Sequence, residues 1–139
     1  MGLLSQTMAV LREAGASPRK RLGQHFLVDD NIAALIVDLT LAEAPERVLE
    51  IGPGLGFLTV RLAQGTRRLL AVEKDPLLAR LAARSLSAIP SAEVILADFL
   101  RADLDRLLGG GKWTAVGNLP YALTSPILFR LMEQRRRLA

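Results

Sequence analysis

Three glycines stand at every second position in the stretch V-L-E-I-G-P-G-L-G, residues 48–56. The stretch begins as a short apolar strand, and a helical pattern starts at Phe57, directly after the last glycine. Glycine at such a turn adopts positive φ and lets a ligand approach the backbone where a Cβ would block it. The order strand, glycine turn, helix N-terminus predicts a nucleotide-type binding site at Gly52, Gly54 and Gly56.

The spacing of these glycines separates two classes of cofactor. A dinucleotide-binding turn has the form G-x-G-x-x-G, whereas the third glycine here comes one residue earlier. The form acidic-x-G-x-G-x-G, which begins at Glu50, is typical of the turn of S-adenosylmethionine (SAM) methyltransferases. A tight strand-to-helix connection without a ligand is the alternative, so residues elsewhere in the chain have to decide.

Each predicted strand ends at a glycine or a polar residue. The predicted strands cover 47–51, 69–73, 93–97 and 113–117, and their ends are marked by Gly52, Glu73, Asp98 and Asn118. The carboxyl ends of parallel strands meet at one edge of a sheet, which is where open α/β sheets bind ligands. Four such ends in step are difficult to explain by solvation alone.

The two carboxylates have the chemistry that a SAM site needs. Glu73 lies 21 residues after Gly52, where an acidic side chain can accept hydrogen bonds from both ribose hydroxyls. When ionised, the Asp98 carboxylate accepts hydrogen bonds and donates none. It can therefore bind the adenine amino group, which offers only donors. Each carboxylate taken alone could instead stabilise the start of the following helix or cap a turn.

Helices alternate with the apolar strands, which predicts an α/β fold with a parallel sheet covered by helices on both faces. Beyond a short N-terminal helix that ends near Gly15, helices are predicted over 31–41, 57–64, 76–86 and 103–108, and from Ser125-Pro126 onward. The residues expected to face the core are Met8, Leu11 and Ala14 in the first helix, Ile32, Leu35, Ile36 and Leu39 in the second, and Ile127, Leu128 and Leu131 in the last. Four strands leave one flank of the fourth unpaired, so we expect an incomplete sheet, the first four strands of a longer one.

Composition narrows the function classes further. The 139 residues suffice for one modest core. The chain has no cysteine and a single histidine, His25, which excludes disulfides and thiol nucleophiles and argues against a metal site. No apolar run has the length of a membrane span, and the first residues lack the features of a signal peptide. The expected location is the cytoplasm.

Positive charge is concentrated towards the ends of the chain. Residues 1–28 and the three arginines at 135–137 together carry seven basic and one acidic side chain, or +6, against −2 for residues 29–134 and +4 overall. Basic segments suit phosphate backbones, although solvated flexible ends give the same pattern.

The motif N-L-P-Y at 118–121 completes a set that extends along the chain. The other members are G-Q-H-F-L at 23–27, E-I-G-P-G-L-G at 50–56, V-E-K-D at 72–75 and A-D-F at 97–99. With these motifs, residues 19–134 resemble the rRNA adenine N6-dimethyltransferases. The resemblance implies a Rossmann-like SAM-dependent methyltransferase fold, SAM as cofactor, and transfer of methyl groups to the N6 amino group of adenosines in rRNA.

Two positions favour one branch of that family. Leu119 and Pro126 are similar to the branch that dimethylates two adjacent adenosines near the 3′ end of small-subunit rRNA, rather than the large-subunit branch that confers macrolide resistance. The implied partner is small-subunit rRNA or the immature small subunit. The protein is expected to be a monomer and to have no membrane partner. The implied division is a basic N-terminal arm with a cofactor-covering motif at 1–28 and the first half of the methyltransferase domain at 29–139. Family members are about twice as long, so the remaining strands and a C-terminal helical domain are absent from this chain.

The resemblance also implies a role for individual residues. It implies cofactor contacts at Gln24, His25, Leu27, Gly52, Gly54, Gly56, Glu73, Asp98 and Asn118, a target-base site at Asn118, Leu119, Pro120 and Tyr121, and RNA contacts at Arg19, Lys20 and Arg21. The Asn118 side-chain oxygen and the Pro120 carbonyl would accept the two N–H groups of the adenine amine and aim its lone pair at the methyl group, while Tyr121 stacks on the flipped base. Ala122 departs from the asparagine that many members carry after the tyrosine.

Three other functions remain open on the residues alone. The fold and basic segments could serve an RNA-binding assembly factor without methyl transfer. A methyltransferase acting on small molecules or proteins would share the cofactor motifs, although N-L-P-Y and the basic segment at 19–21 argue against it. A dinucleotide-dependent oxidoreductase is disfavoured by the glycine spacing.

Overall fold

A computed structural model describes residues 1–17 and 26–139, and a parallel four-stranded sheet lies at its centre. The strands are β1 (Arg47–Ile51), β2 (Arg68–Glu73), β3 (Ala92–Leu96) and β4 (Thr114–Val116). They are all parallel, in the order β3-β2-β1-β4. The order places β1 and its glycine turn in the interior of the sheet, between β2 and β4, so that ligand-binding groups can come from both sides.

Six α-helices are present in the described residues. They are α1 (Leu3–Glu13), α2 (Asp30–Leu41), α3 (Phe57–Gln64), α4 (Pro76–Ser85), α5 (Leu104–Leu108) and α6 (Tyr121–Glu133), followed by a 3-10 turn at Arg135–Arg137. Alternate residues of β1 point to opposite faces: Leu49 packs in a cluster with α5 and α6, and Val48 packs in a cluster with α3. The predicted α/β fold with helices on both faces is therefore confirmed.

Local capping chemistry explains where two helices begin. The Asp29 side chain accepts hydrogen bonds from the amides of Asn31 and Ile32, at 2.8 and 3.0 Å, and begins α2. Asp75 does the same for the amides of Leu77 and Leu78, with proline at the first position of α4. Each cap depends on residues only two or three positions apart in sequence.

The buried face of α2 differs from the predicted one. Ile32, Leu35 and Leu39 are exposed, by 49%, 55% and 68% of their surface, whereas Ala33 is only 2% exposed. Ile36 does pack against the core. Apolar residues surround this helix (N-I-A-A-L-I-V-D-L-T-L), so periodicity alone could not select the face. Its orientation is set by packing against α3, which only the tertiary structure specifies.

Helix α1 is also rotated relative to the prediction. Its buried residues are Leu3, Thr7 and Leu11, spaced four apart, while Met8 is only half-buried. Leu11 is completely buried in a cluster with Leu55 of the glycine turn and with residues of α4. Within the predicted N-terminal arm, residues 3–13 are thus a helix packed against the glycine turn and α4.

Helix α6 begins one turn before the predicted start at Ser125-Pro126. Pro120 is its N-cap, and the Leu123 amide donates to the Pro120 carbonyl at 3.0 Å, so the first turn closes before Ser125. Pro126 therefore lies inside the helix, where it has no N–H to donate. Ile127 is buried as predicted, whereas Leu128 is half exposed.

The outer flank of β4 carries one parallel bridge, between Trp113 and Leu138. The Trp113 amide donates to the Arg137 carbonyl at 2.7 Å, and the Ala139 amide donates to the Trp113 carbonyl at 2.9 Å. The flank predicted to be unpaired is therefore bridged at the residue that precedes β4. Among the described residues, no helix has the length and apolar character needed to cross a membrane.

The corrected face of α2 can be tested with two substitutions on one helix. Ala33→Gln should lower the free energy of unfolding of the chain by about 2 kcal/mol, because a larger polar side chain is forced into a buried site. Leu39→Gln should change it by less than about 0.5 kcal/mol, because that side chain is exposed. Urea denaturation measures both. Equal losses for the two variants would contradict the observed orientation.

Candidate active site

The glycine turn after β1 separates two uses of glycine. Gly52, Gly54 and Gly56 all have positive φ, at 72°, 59° and 87°. A Cβ added at Gly52 would meet nothing within 4 Å, so this position borders open space. A Cβ at Gly56 would stand 3.1 Å from the backbone Cα of Ala82 in α4. The first glycine thus leaves room beside the backbone, and the last allows α4 to pack closely against the turn.

Glu73, at the end of β2, holds this turn in place. Its Oε1 accepts the Gly54 amide at 3.2 Å, and its Oε2 accepts the Asp75 amide at 3.1 Å. The side chain is only 7% exposed. Each carboxylate oxygen has two lone pairs, so both retain acceptor capacity for a ligand. From the sequence, Glu73 could either contact a ligand or stabilise the start of the following helix; that helix is capped by Asp75.

Asp98 follows β3 and caps a tight turn. Its Oδ1 accepts the Leu100 amide at 3.0 Å, and its backbone carbonyl accepts the amides of Arg101 and Ala102 at 3.0 and 2.9 Å. The Arg101 guanidinium lies 4.0 Å from Oδ2 and is largely solvated. Oδ2 is not used by the turn, so capping leaves one carboxylate oxygen available at the cavity.

These residues border one cavity of about 530 Å³ at the carboxyl edge of the sheet, a volume within the range of small-molecule sites. The residues proposed from sequence that line it are Leu27, Gly52, Gly54, Glu73, Asp98, Asn118, Leu119 and Pro120. Gly56 does not line it and serves the packing of α4 instead. Neighbouring strand ends thus do converge, as the parallel arrangement requires.

The segment at 118–120 forms one wall of this cavity, and the carbonyl of Pro120 already accepts hydrogen bonds. Pro120 accepts the Leu123 amide at 3.0 Å and the Thr124 hydroxyl at 3.2 Å. This carbonyl, which the resemblance implies as an acceptor for the target amine, therefore already accepts two hydrogen bonds from residues of α6. The reason is the early start of α6, which makes Pro120 its N-cap. Tyr121 begins the helix, and its side chain lies outside the described part.

Five proposed site residues lie outside the described residues, namely Arg19, Lys20, Arg21, Gln24 and His25. The two that follow them are described: Phe26 and Leu27 both line the cavity. A Cβ at Gly54 would come within 3.5 Å of the Phe26 ring, so this ring covers the glycine turn. The described end of the motif at 23–27, Phe26 and Leu27, therefore forms part of the cavity wall.

Glu50 lines the cavity but is not among the site residues predicted from the sequence. It lies on β1, is only 2% exposed, lines the cavity, and its Oε2 makes no hydrogen bond within the described part of the chain. Burial raises its pKa from the ordinary 4.5 to about 7; the Thr59 hydroxyl opposes the rise, and the Glu73 charge adds to it. Its place in the acidic-x-G-x-G-x-G pattern was the available signal.

The matching family model and the curated relatives agree on one family. The family model described as ribosomal RNA adenine dimethylase matches residues 15–138. Ribosomal RNA small subunit methyltransferase A of Chlorobium limicola is 48% identical over 118 residues, which are 85% of this chain and 44% of that protein. The chain thus spans less than half the length of the curated relatives it matches.

Solved structures share the fold. The 23S rRNA methyltransferase ErmE superposes with a TM-score of 0.66 at 38% identity, over 75% of this chain and 41% of that one. The N-terminal domain of EvdMO1, solved with S-adenosylhomocysteine bound, gives a TM-score of 0.51 at 27% identity, over 60% of this chain and 36% of that one.

The raised pKa of Glu50 predicts a pH-dependent stability. The folded state binds this proton more tightly than the unfolded state, so the contribution of Glu50 is fully present below pH 4.5 and is lost as the pH rises to about 7. Glu50→Gln removes the titration. We expect the unfolding free energy of this variant to gain about 3 kcal/mol on the wild type between pH 4.5 and 8.

Urea denaturation across that pH range measures the difference. Glu93→Gln, at an exposed position on β3, is the matched control and should follow the wild type. Parallel curves for the wild type and Glu50→Gln would contradict burial of an ionisable Glu50.

Proposed function

The chain belongs to the ribosomal RNA adenine dimethylase family, and from this premise we propose that it carries the cofactor site of an enzyme that methylates adenine N6 in small-subunit rRNA. The observation that carries the proposal is the cavity of about 530 Å³, which is lined by a glycine turn, two strand-end carboxylates and the segment Asn118–Pro120. These groups come from separate parts of the chain and match the order of the family's motifs.

We propose S-adenosylmethionine as the cofactor. The open space beside Gly52 accommodates a ligand against bare backbone, and the anchored Glu73 carboxylate has acceptor capacity for ribose hydroxyls. Glu50 adds a second buried carboxyl to the same cavity, which favours a ligand with positive charge. SAM, when bound, supplies a methyl group on a cationic sulfur that is its own leaving group.

Asp98 is proposed to bind the adenine end of the cofactor. Its Oδ1 is used by the Leu100 amide, and its Oδ2 can accept the exocyclic amino group. The residues outside the described part, Gln24 and His25, are proposed to cover the cofactor from the side of Phe26.

The target amine is proposed to bind Asn118 and Pro120. An adenine amino group is a weak nucleophile because its lone pair is delocalised into the ring. Two acceptors that take its two N–H bonds direct the lone pair towards the methyl group and hold the nitrogen in line. The Asn118 side chain lines the cavity and supplies one acceptor. The Pro120 carbonyl supplies the other when the Thr124 hydroxyl turns away from it. Leu119 packs beside them, and Tyr121 is proposed to stack on the base.

The proposed substrate is the 3′ region of small-subunit rRNA, acted on during ribosome biogenesis in the cytoplasm by a monomer. Leu119 and Pro126 favour this branch, and a small-subunit methyltransferase is 48% identical over 85% of this chain. Within the proposed division, 1–28 contributes a basic segment whose Arg19, Lys20 and Arg21 contact RNA phosphates, and 29–139 contributes the cofactor half of the domain.

A second candidate is RNA binding without methyl transfer. The observation in its favour is the Pro120 carbonyl, whose acceptor positions are both occupied by α6. Incubation with methyl-labelled SAM and small subunits that lack the modification distinguishes the two. Binding of the subunits with no incorporated label would favour this second candidate.

Asn118→Ala should reduce methyl transfer at least about a hundredfold, because it removes an acceptor that positions the nucleophile. Affinity for SAM should fall much less, since the other cavity groups remain. Methyl transfer is measured as labelled methyl groups incorporated into rRNA that is retained on a filter. Affinity for SAM is measured by calorimetry. Thr124→Val is the matched control beside the same segment: it removes the hydroxyl that occupies the Pro120 carbonyl and should not reduce transfer. Loss of SAM binding with transfer retained would contradict the assignment of Asn118.

Asp98→Ala should weaken SAM and adenosine about equally, by roughly tenfold, because the lost hydrogen bond to a charged acceptor belongs to the adenine that both ligands share. Calorimetry with each ligand measures the change. Asp103→Ala, which removes the N-cap of α5 away from the cavity, is the control for loss of a capping carboxylate. An unchanged SAM affinity would remove Asp98 from the site.

A further inference from the structure

Arg130, in the last turn of α6, reaches the turn that follows β3. Its Nη1 donates to the Leu100 carbonyl and its Nη2 donates to the Ala102 carbonyl. The contact joins positions 28 and 30 residues apart in sequence. A guanidinium has a planar fork of donors, which matches two neighbouring carbonyls better than the single ammonium of lysine does.

The turn that Arg130 holds is the one that carries Asp98. Within it, the Leu100 amide donates to Asp98 Oδ1, and the amides of Arg101 and Ala102 donate to the Asp98 carbonyl. Leu100 also lines the cavity. The amides of this turn therefore bind Asp98, while the carbonyls of Leu100 and Ala102 bind Arg130.

The opposite end of α6 begins directly after Asn118–Pro120. A helix is a rigid connection over 13 residues, so a bond at its end constrains the segment at its start. Arg130 thus lies between the two parts of the cavity wall, the turn of Asp98 and the segment proposed to hold the target amine.

We propose that Arg130 is a positioning residue for the cofactor site: by binding the carbonyls of Leu100 and Ala102 it fixes the Asp98 carboxylate relative to the segment at 118–120. The proposal rests on the proposed function, in which Asp98 binds the adenine end of the cofactor. It assigns to Arg130 no contact with the ligand.

Packing alone does not account for an arginine at this position. The Nε of Arg130 is buried and has no hydrogen-bond partner among the described residues, which costs free energy. A methionine would fill similar space without this cost. A direct charge effect on Asp98 does not account for it either, because the guanidinium nearer to that carboxylate belongs to Arg101, which is 89% exposed and screened by solvent.

The test is a double-mutant cycle on ligand affinity with the 139-residue chain. Arg130→Met should weaken SAM and adenosine about tenfold, Arg130→Lys should weaken them less, and Arg101→Met, the matched control, should leave both within about twofold. In the Asp98→Ala background, Arg130→Met should have no further effect on either affinity, because it acts through Asp98. Calorimetry at a temperature where every variant is folded gives the affinities of the four proteins of the cycle for each of the two ligands.

Additive losses in the cycle, or an unchanged affinity in Arg130→Met, would overturn the proposal. An unchanged affinity in Asp98→Ala would instead overturn the proposed function, so the two failures are distinguishable.

Amide hydrogen exchange of the ligand-free chain provides a second measurement. Arg130→Met should speed exchange at the amides of Arg101 and Ala102 by about tenfold and leave the amides of β1 and β2 unchanged. Uniform faster exchange would indicate a general stability effect and would contradict a specific role at this turn.

Discussion

The glycine turn at the carboxyl edge of the sheet depends on one carboxylate with two backbone partners. Glu73 receives the Gly54 amide on one oxygen and the Asp75 amide on the other. The first bond reaches the turn after β1, and the second fixes the residue that caps α4. Both are charge-assisted bonds at a side chain that is almost fully buried. Without this bridge, two adjacent strand ends would each leave an amide unsatisfied at the floor of the cavity.

The glycines make this arrangement possible, each in a different way. Gly56 lacks a Cβ that would press on Ala82, so α4 can pack closely against the turn. Gly52 instead borders open space, where a Cβ would only obstruct a ligand. One is required by the packing of the protein with itself, and the other by what the cavity admits. A repeated residue in a motif therefore does not imply a repeated role.

The sequence predicted most accurately what depends on neighbours along the chain. The strands, the caps at Asp29 and Asp75, and the convergence of strand ends follow from local patterns and from the geometry of parallel sheets. The buried face of α2 could not be predicted, because apolar residues surround the helix and only contact with α3 selects among them. The bonds of Arg130 join residues 28 and 30 positions apart, and no local signal marks them. The predicted start of α6 is one turn too late. Ser125-Pro126 is a typical helix start, but the helix has already begun after Pro120, its N-cap.

Burial of two carboxyl groups on one side of the cavity links protonation to occupancy. Burial disfavours the charge of Glu50, and the charge of Glu73 disfavours it further, which is why the pKa of Glu50 rises to about 7. A cationic ligand in the cavity offsets both effects and favours the ionised form of Glu50. By the same linkage, the ionised form favours the cationic ligand. A neutral ligand such as adenosine lacks this coupling even if it makes the same contacts with Asp98. If the proposed cofactor binds here, the charge of the cavity would therefore distinguish its two ends, with the acidic side facing the cationic methionine end and the turn held by Arg130 facing the neutral adenine.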